Sequence, residues 1–272
     1  QQFISVDKDS LSIKLDIIFP VLHGPYGEDG TIQGLLKLAN IAFVGSDVLG
    51  SALCMDKDIS KRLFEHAGLP VCKYLVYKKA DAHTLTFDKI KDKLGENFFI
   101  KPANMGSSLG VSKITNVDEF QQAVDLAFRY DNKIILEQAV VGKELEVSVL
   151  GDNSPTASTV GEIVTKTDFY SYQTKYIDDS SASLKIPANI DHKTSEKIKQ
   201  LAIKAFKALE CKDMARCDFF LSDDGKLFIN EINSIPGFTH ISMYPKLWEA
   251  SGISYADLLD RLINSAISRH SR

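Results

Sequence analysis

Residues 216–242 read RCDFFLSDDGKLFINEINSIPGFTHIS, the pattern of a β-hairpin. Two apolar-rich runs, 219–221 and 227–229, flank a turn that contains Asp224-Gly225, a dipeptide suited to tight hairpin connections. Side chains alternate between the faces of a strand, so Arg216 and Asp218 share one face of the first arm. The same alternation puts Leu227, Ile229, Glu231 and Asn233 on one face of the second. If the arms pair, Asp218, Glu231 and Asn233 converge as two carboxylates and one amide oxygen. That hard-oxygen set suits Mg²⁺ and leaves coordination positions for phosphate oxygens, with Arg216 beside it as a fixed cation. A solvated hairpin with a polar outer face shows the same pattern, so the rest of the chain has to decide.

The chain is long enough, at 272 residues, for a large core and two or three lobes. With 44% hydrophobic and 25% charged residues, its composition is that of an ordinary globular protein. A formal net charge of -4 and the lack of any basic run speak against a nucleic-acid partner. No apolar run reaches the length needed to cross a bilayer, so no membrane role is expected. Cys54, Cys72, Cys211 and Cys217 form no C-x-x-C pair and have no His at ligand spacing. That usage predicts reduced thiols and a cytoplasmic address. The chain opens on Gln1 rather than Met, which leaves room for a leading segment or a removed targeting peptide.

Upstream of the hairpin, the run 17–22 predicts a buried strand ending at His23-Gly24. The glycine-rich loop GPYGEDG then leads into a helix, TIQGLLKLANI. Such a loop either places backbone N–H groups where an anion can sit or is a plain strand-to-helix turn. Asp56 predicts the N-cap of a helix that stops at Gly68 before Pro70. Lys57 in its first turn opposes the helix dipole, a mild hint of an anionic partner against the default reading of a solvated lysine. Strands follow over 71–77 and 97–101, the second ending on Lys101. The segment KPANMGSSLGVSK, 101–113, has a lysine at a strand end, a turn containing Ser107 and Ser108, and a returning strand, a loop able to fold over phosphates. It matches neither a Walker P-loop nor a dinucleotide turn.

Asn116 and Glu119 resemble a capping box before a core stripe of Phe120, Ala123, Val124, Ala127 and Phe128. The next strand ends at Glu137, Gln138, Ala139 and Val140, and another carries Glu144, Glu146, Ser148 and Leu150 in alternation. Glu137 and Glu144 thus bracket a short linker, either a hinge that hydrogen-bonds a base and a ribose or a plain strand and turn with solvent-facing acids. Residues 167–183 mix aromatic and polar side chains without strand pattern or helix caps. They predict an Ω-type lid with Lys175 and Tyr176 as its working residues. Helices follow over 194–209 and from Ser254 onward. Gly237 and Ser242, just past the hairpin, offer a backbone donor and a hydroxyl.

Together HGPYGEDGTIQG (23–34), MDKDISKRL (55–63), FIKPANMGSSLGVSK (99–113), DFYSYQTKY (168–176), RCDFF (216–220) and NEINSIPGFTHIS (230–242) resemble the ATP-grasp ligases, and within them the D-alanine–D-alanine ligase family. The resemblance spans almost the whole chain in the family's order. It implies an α/β chain with α+β lobes of the ATP-grasp fold: the end of an incomplete, Rossmann-like N-terminal α/β lobe (1–50), a central lobe (51–140) and a C-terminal lobe (141–272). The family's chain begins earlier, with a glutamate against the amine of the first D-alanine, so that portion is expected to be absent.

The resemblance also implies roles. Asp218, Glu231 and Asn233 would hold two Mg²⁺ ions, or Mn²⁺, between the β- and γ-phosphates of ATP. Lys57, Lys101 and Lys175 would neutralise the phosphates. The ATP site would include Ser108 and Phe169, with Glu137, Gln138, Ala139 and Val140 along the adenine edge, Glu144 on the ribose, and Phe99 and Phe220 sandwiching the ring. Arg216 and the Gly237 N–H would stabilise a tetrahedral oxyanion, Ser107 and Tyr176 would link loop to lid, and His23, Tyr172, Ser242 and Met243 would contact two D-alanines. Many relatives read T-S-H-S where this chain has Thr239-His240-Ile241-Ser242, so of the two polar residues only Ser242 is carried over. Tyr176 stands where D-lactate-using relatives tend to have Phe or His, which points to D-alanine as acceptor. A homodimer is the family's assembly. The competing expectations are another ATP-grasp carboxylate–amine ligase, with D-serine or a different acceptor, and a nucleotide-binding module without catalysis.

Overall fold

A computed structural model of the chain describes residues 2–4, 12–165, 182–239 and 241–271. Two antiparallel sheets dominate it. The larger has five strands in the order β11-β10-β9-β12-β13: β9 (Gly142–Gly151), β10 (Thr156–Thr165), β11 (Ala182–Lys185), β12 (Asp213–Ser222) and β13 (Leu227–Asn233). The smaller has four, in the order β5-β8-β6-β7: β5 (Tyr74–Lys78), β6 (Phe98–Pro102), β7 (Ser112–Ile114) and β8 (Lys133–Gln138). A short hairpin of β1 (Gln2–Ile4) and β2 (Ser12–Lys14) and a parallel pair, β3 (Ile17–Ile18) with β4 (Ala42–Phe43), precede them. The strand expected over 17–22 is therefore only two residues long. Val21 and Leu22 are exposed, because the chain already bends toward the glycine loop.

Helices cover one face of each sheet along its length, and the opposite face of the five-stranded sheet is covered by helices only at one end. Helix α6 (His192–Ala208) is capped by Asp191, whose Oδ1 accepts from Thr194 N at 2.9 Å. It lays Ile198, Ala202, Ala205 and Phe206 on Leu145, Val147, Val149, Cys217, Phe219 and Ile229 of the five-stranded sheet. Helices α4 (Phe87–Leu94) and α5 (Phe120–Tyr130) cover the four-stranded sheet, burying Ile90, Leu94 and the predicted α5 stripe against Phe98, Ile100, Ile134 and Leu136. Asn116 Oδ1 accepts from the N–H groups of Asp118 and Glu119, but Glu119 reaches back to Thr115 rather than Asn116. The capping box is thus opened by a preliminary turn. A third core joins Val44, Met214, Tyr244, Trp248, Leu258 and Leu262, using α7 (Met243–Glu249) and α8 (Tyr255–His270).

Helix α3 (Lys57–His66) follows α1 (Thr31–Leu38) and α2 (Val48–Met55) and lies where the two sheets meet. Asp56 caps it as predicted, Oδ1 accepting from Asp58 N at 3.0 Å and Ile59 N at 3.2 Å. Lys133 on β8 holds the cap, its Nζ 2.6 Å from Asp56 Oδ2 and 3.1 Å from Asp58 Oδ2. The helix buries Phe64 in the core of the five-stranded sheet. Just beyond it, Val71 forms a parallel bridge with Ile229 of β13, and Ile229 N donates to Pro70 O at 2.8 Å. So α3 is pinned to the small sheet at its start and to the large sheet at its end.

Replacing Asp56 by Ala removes the cap and leaves Lys133 with Asp58 as its remaining carboxylate partner, a loss of about 1–2 kcal/mol from the cap alone. Asp56→Asn keeps an N-cap acceptor and is expected to lose less. Urea unfolding of the two variants checks the ranking, and equal losses would show that the cap contributes nothing beyond the ion pair.

Candidate active site

The hairpin of β12 and β13 pairs Arg216 with Asn233 and Asp218 with Glu231, then slips so that Phe219 faces Ile229. Asn230 is the extra residue of a β-bulge, and it corrects one expectation. Leu227, Ile229 and Ile232 lie in the core, whereas Glu231 and Asn233 are only partly buried. Glu231 and Asn233 therefore point to the face opposite Leu227 and Ile229, because the bulge shifts the alternation by one. On β12 the alternation is regular: Ala215, Cys217 and Phe219 are buried, and Arg216, Asp218 and Phe220 face the site.

Arg216 forks onto Asp218, with Nε–Oδ1 2.8 Å and Nη2–Oδ2 2.7 Å, and its Nε lies 3.0 Å from Glu146 Oε2. Burial works against this guanidinium's charge, but the carboxylates of Asp218, Glu146 and Glu231 outweigh it and raise its pKa further. Asn233 Nδ2 donates to Asp218 Oδ2 at 3.1 Å, which assigns its amide oxygen to the cation-binding side. Among the described residues no group of three or more His, Cys, Asp or Glu side chains is assembled for a metal. Two carboxylates and one amide oxygen make an incomplete hard-oxygen set, which fits Mg²⁺ carrying phosphate oxygens and fits zinc poorly.

The predicted anionic partner of Lys57 is Glu231, Nζ to Oε2 3.3 Å, and the same ammonium donates to Met105 O at 2.8 Å in the Ser107 loop. In that loop Ser107 and Ser108 both adopt positive φ, 55° and 58°, a strained conformation of the kind kept at binding sites. One turn along α3, the buried Lys61 pairs with Glu137, and so does Lys101 from β6. Burial pushes the Glu137 carboxyl up, but the two lysines prevail and hold it down to about 2. Burial likewise opposes the Lys101 charge, and Glu137 more than offsets it. Glu137 thus points at lysines rather than at open space. Next to it, Gln138 N donates to Lys73 O and Ala139 N to Asn97 O, while Val140 is half-buried.

Cross-strand register places Phe99 opposite Glu137, and Phe220 opposite Glu144. Phe99 is thereby on the Glu137 face of one sheet and Phe220 on the Asp218 face of the other. A side chain at Gly237 would lie 2.7 Å from Ser242 Oγ, which itself accepts from Thr239 N at 3.0 Å. Met243 is buried with its thioether against Gly161. His23 is exposed. Phe169, Tyr172, Lys175, Tyr176 and His240 lie outside the described residues, as does the expected lid except for 182 and 183, which already belong to β11.

Three residues join the site that the motifs do not single out. Glu146 shares a face with Glu144 and stands opposite Asp218, so period-two alternation could have found it. Lys61 lies four residues after Lys57, one helical turn. Glu28 of the glycine loop accepts from Gly24 N at 2.6 Å and feels the charges of His23, Glu231 and Arg216, with burial raising its pKa. Only the fold brings it there.

Comparison with known proteins accords with this arrangement. The family model "D-ala D-ala ligase C-terminus" matches residues 63–264, and "D-ala D-ala ligase N-terminus" matches 1–46. The chain belongs to the D-alanine–D-alanine ligase family. It is 53% identical over 259 residues to D-alanine–D-alanine ligase of Oceanobacillus iheyensis, covering 95% of this chain and 71% of that protein. It is 52% identical over 257 residues to D-alanine–D-alanine ligase A of Escherichia coli K12, covering 94% and 71%. Among solved structures it resembles the D-alanine–D-alanine ligase from Coxiella burnetii (TM-score 0.85, 37% identity, 99% of this chain and 75% of that one). The VanG D-Ala:D-Ser ligase from Enterococcus faecalis is equally alike (TM-score 0.85, 37% identity, 97% and 79%). The fold is the ATP-grasp fold of this ligase family.

Glu137 gives the site a titration signature. Its carboxyl is depressed from its ordinary value of 4.5 to about 2, so its stabilising contribution is complete above 4.5 and is lost as pH falls toward 2. The stability gap between wild type and Glu137→Gln, measured by urea unfolding, is expected to shrink between pH 5 and pH 3. Parallel pH curves for the two proteins would rule this out.

Proposed function

We propose that this chain joins two D-alanines into D-alanyl-D-alanine at the expense of ATP, for peptidoglycan precursor synthesis. The observation that carries the reading is the bulged hairpin, which sets Asp218, Glu231 and Asn233 beside Arg216 and within reach of Lys57. Asp218, Glu231 and Asn233 would hold two Mg²⁺ ions, with Mn²⁺ as a substitute. When bound, the ions shield the phosphate charge that would repel an attacking carboxylate.

The chain's own residues do the remaining work. Lys57 and Lys101, with Lys175, neutralise the phosphates, and Ser107 and Ser108 fold their loop over them. Phe99, Phe220 and the backbone of 138–140 line the base, and Glu144 takes the ribose. The carboxylate of the first D-alanine takes the γ-phosphoryl group, giving an acyl phosphate and ADP. The amine of the second attacks that carbonyl, and phosphate leaves as the peptide bond forms. Arg216 and the Gly237 N–H stabilise the tetrahedral oxyanion between these events, while His23, Tyr172, Tyr176, Ser242 and Met243 position the two substrates. Holding the reactants in line and compensating charge account for most of the rate.

In this reading the lobes are 1–50, 51–140 and 141–272, the assembly is a homodimer as in the family, and the protein works in the cytoplasm. No helix among the described residues is long and apolar enough to cross a membrane, and the four cysteines are free. A second reading takes D-serine as acceptor, supported by the equal likeness to the VanG ligase.

Mg²⁺-ATP with D-alanine is expected to give ADP, phosphate and the dipeptide in equal amounts, with D-serine as the comparison acceptor. Arg216→Met is expected to lower kcat by about 10²–10³, the usual effect of losing one oxyanion donor, while ATP binding persists. ATP binding without ADP release in the wild type would reduce the chain to a nucleotide-binding module.

A further inference from the structure

Lys61 is 1% exposed, and a lysine is almost never so deeply buried unless it is paired. Its ammonium touches three things: the Glu137 carboxylate, the Asn230 carbonyl at 3.3 Å, and the face of the Tyr74 ring, 6.0 Å from the centroid. Asn230 is the bulged residue, without a cross-strand partner on β12, and it immediately precedes Glu231. Removing the bulge would return Glu231 to the Leu227 and Ile229 side, away from Asp218. The side chain that anchors this backbone lies on another element, α3.

Lys61 also matters through Glu137. One carboxylate stands between two ammonium groups, Lys61 and Lys101, so the cluster carries a net positive charge. With Lys61 neutral, Glu137 would cancel Lys101 alone, and little field would remain to attract a phosphate. We infer that Lys61 is a positioning residue for the metal–nucleotide site: it fixes the bulge that aims Glu231, and by sharing Glu137 it leaves Lys101 a charge to spend on an anion. The inference rests on the reading above, in which Glu231 holds metal and Lys101 meets phosphate. A simple buried ion pair that only stabilises the fold is the rival account.

The test uses the full-length protein, Mn²⁺ binding followed by electron paramagnetic resonance with a non-hydrolysable ATP analogue, and steady-state kinetics. For Lys61→Met the half-saturating Mn²⁺ concentration is expected to rise about 10–100-fold, the usual cost of losing support behind a metal ligand. KM for ATP should rise with it while KM for D-alanine stays unchanged. The double variant Lys61→Met/Glu137→Gln restores the net charge at Lys101 without the anchor on Asn230. It is expected to recover KM for ATP but not Mn²⁺ affinity, a non-additivity that stability alone does not produce. Wild-type affinity for Mn²⁺ and nucleotide in Lys61→Met, or in the double variant should the single one not fold, overturns the inference even if the melting temperature falls. Absence of Mn²⁺–nucleotide binding by the wild type would instead sink the underlying reading.

Discussion

The site depends on one carboxylate shared by two buried lysines. Glu137 sits on β8 of the four-stranded sheet, Lys101 on the neighbouring β6, and Lys61 on α3. Burying an isolated charge costs far more than a domain can spare, and removing one partner of a buried pair is strongly destabilising. The three groups can therefore exist only together. Since α3 also sinks Phe64 into the core of the five-stranded sheet, keeping these charges compensated keeps the two sheets in register with each other. An electrostatic requirement becomes a geometric one: the faces that carry Lys101 and Asp218 must meet across α3.

Helix α3 meets this requirement with spacing the sequence displays. Lys57 and Lys61 are four residues apart and reach successive carbonyls and carboxylates along one face, Lys57 to Met105 and Glu231, Lys61 to Asn230 and Glu137. The unfavourable place of Lys57 in the first turn is a legible signal of an anion nearby, and Glu231 supplies it. The caps at Asp56 and Ser254 and the apolar stripes of α5 and α6 are equally legible, because they depend on neighbours within one turn of helix. The hairpin is legible because its turn is local. The short elements α2, α7 and β11 carry no such stripe of apolar residues, and tertiary packing forms them.

The bulge at Asn230 marks where pattern reading stops. INEIN alternates convincingly in either register, and one extra residue changes no composition and no hydrophobic count. What selects the bulged form is remote: core space for Ile232 beside Ile229, and a lysine on another element facing the Asn230 carbonyl. Glu146 and Glu28 escape notice for the same reason. Each is an ordinary acid in its own segment and becomes part of the site only when β9 pairs with β12, or when the glycine loop folds back toward Arg216. Asp218, Glu231 and Asn233 nevertheless come together on one face, because the same one-residue shift moves Glu231 and Asn233 together.

Charge compensation then explains how a site so crowded with acids holds together before any substrate arrives. Asp218, Glu146 and Glu231 are answered by Arg216 and Lys57, and Glu137 by Lys61 and Lys101. In the proposed function Arg216, Lys57 and Lys101 are the cations offered to phosphate or oxyanion. In that proposal a divalent metal held beside Asp218 and Glu231 would take over part of the acids' charge and leave Arg216 and Lys57 available to the substrates. Nucleotide phosphates would draw on Lys101 in the same way, with Lys61 left to keep Glu137 compensated. Lys61 is the member of that set with no access to the ligand, and its burial is what lets the others be lent.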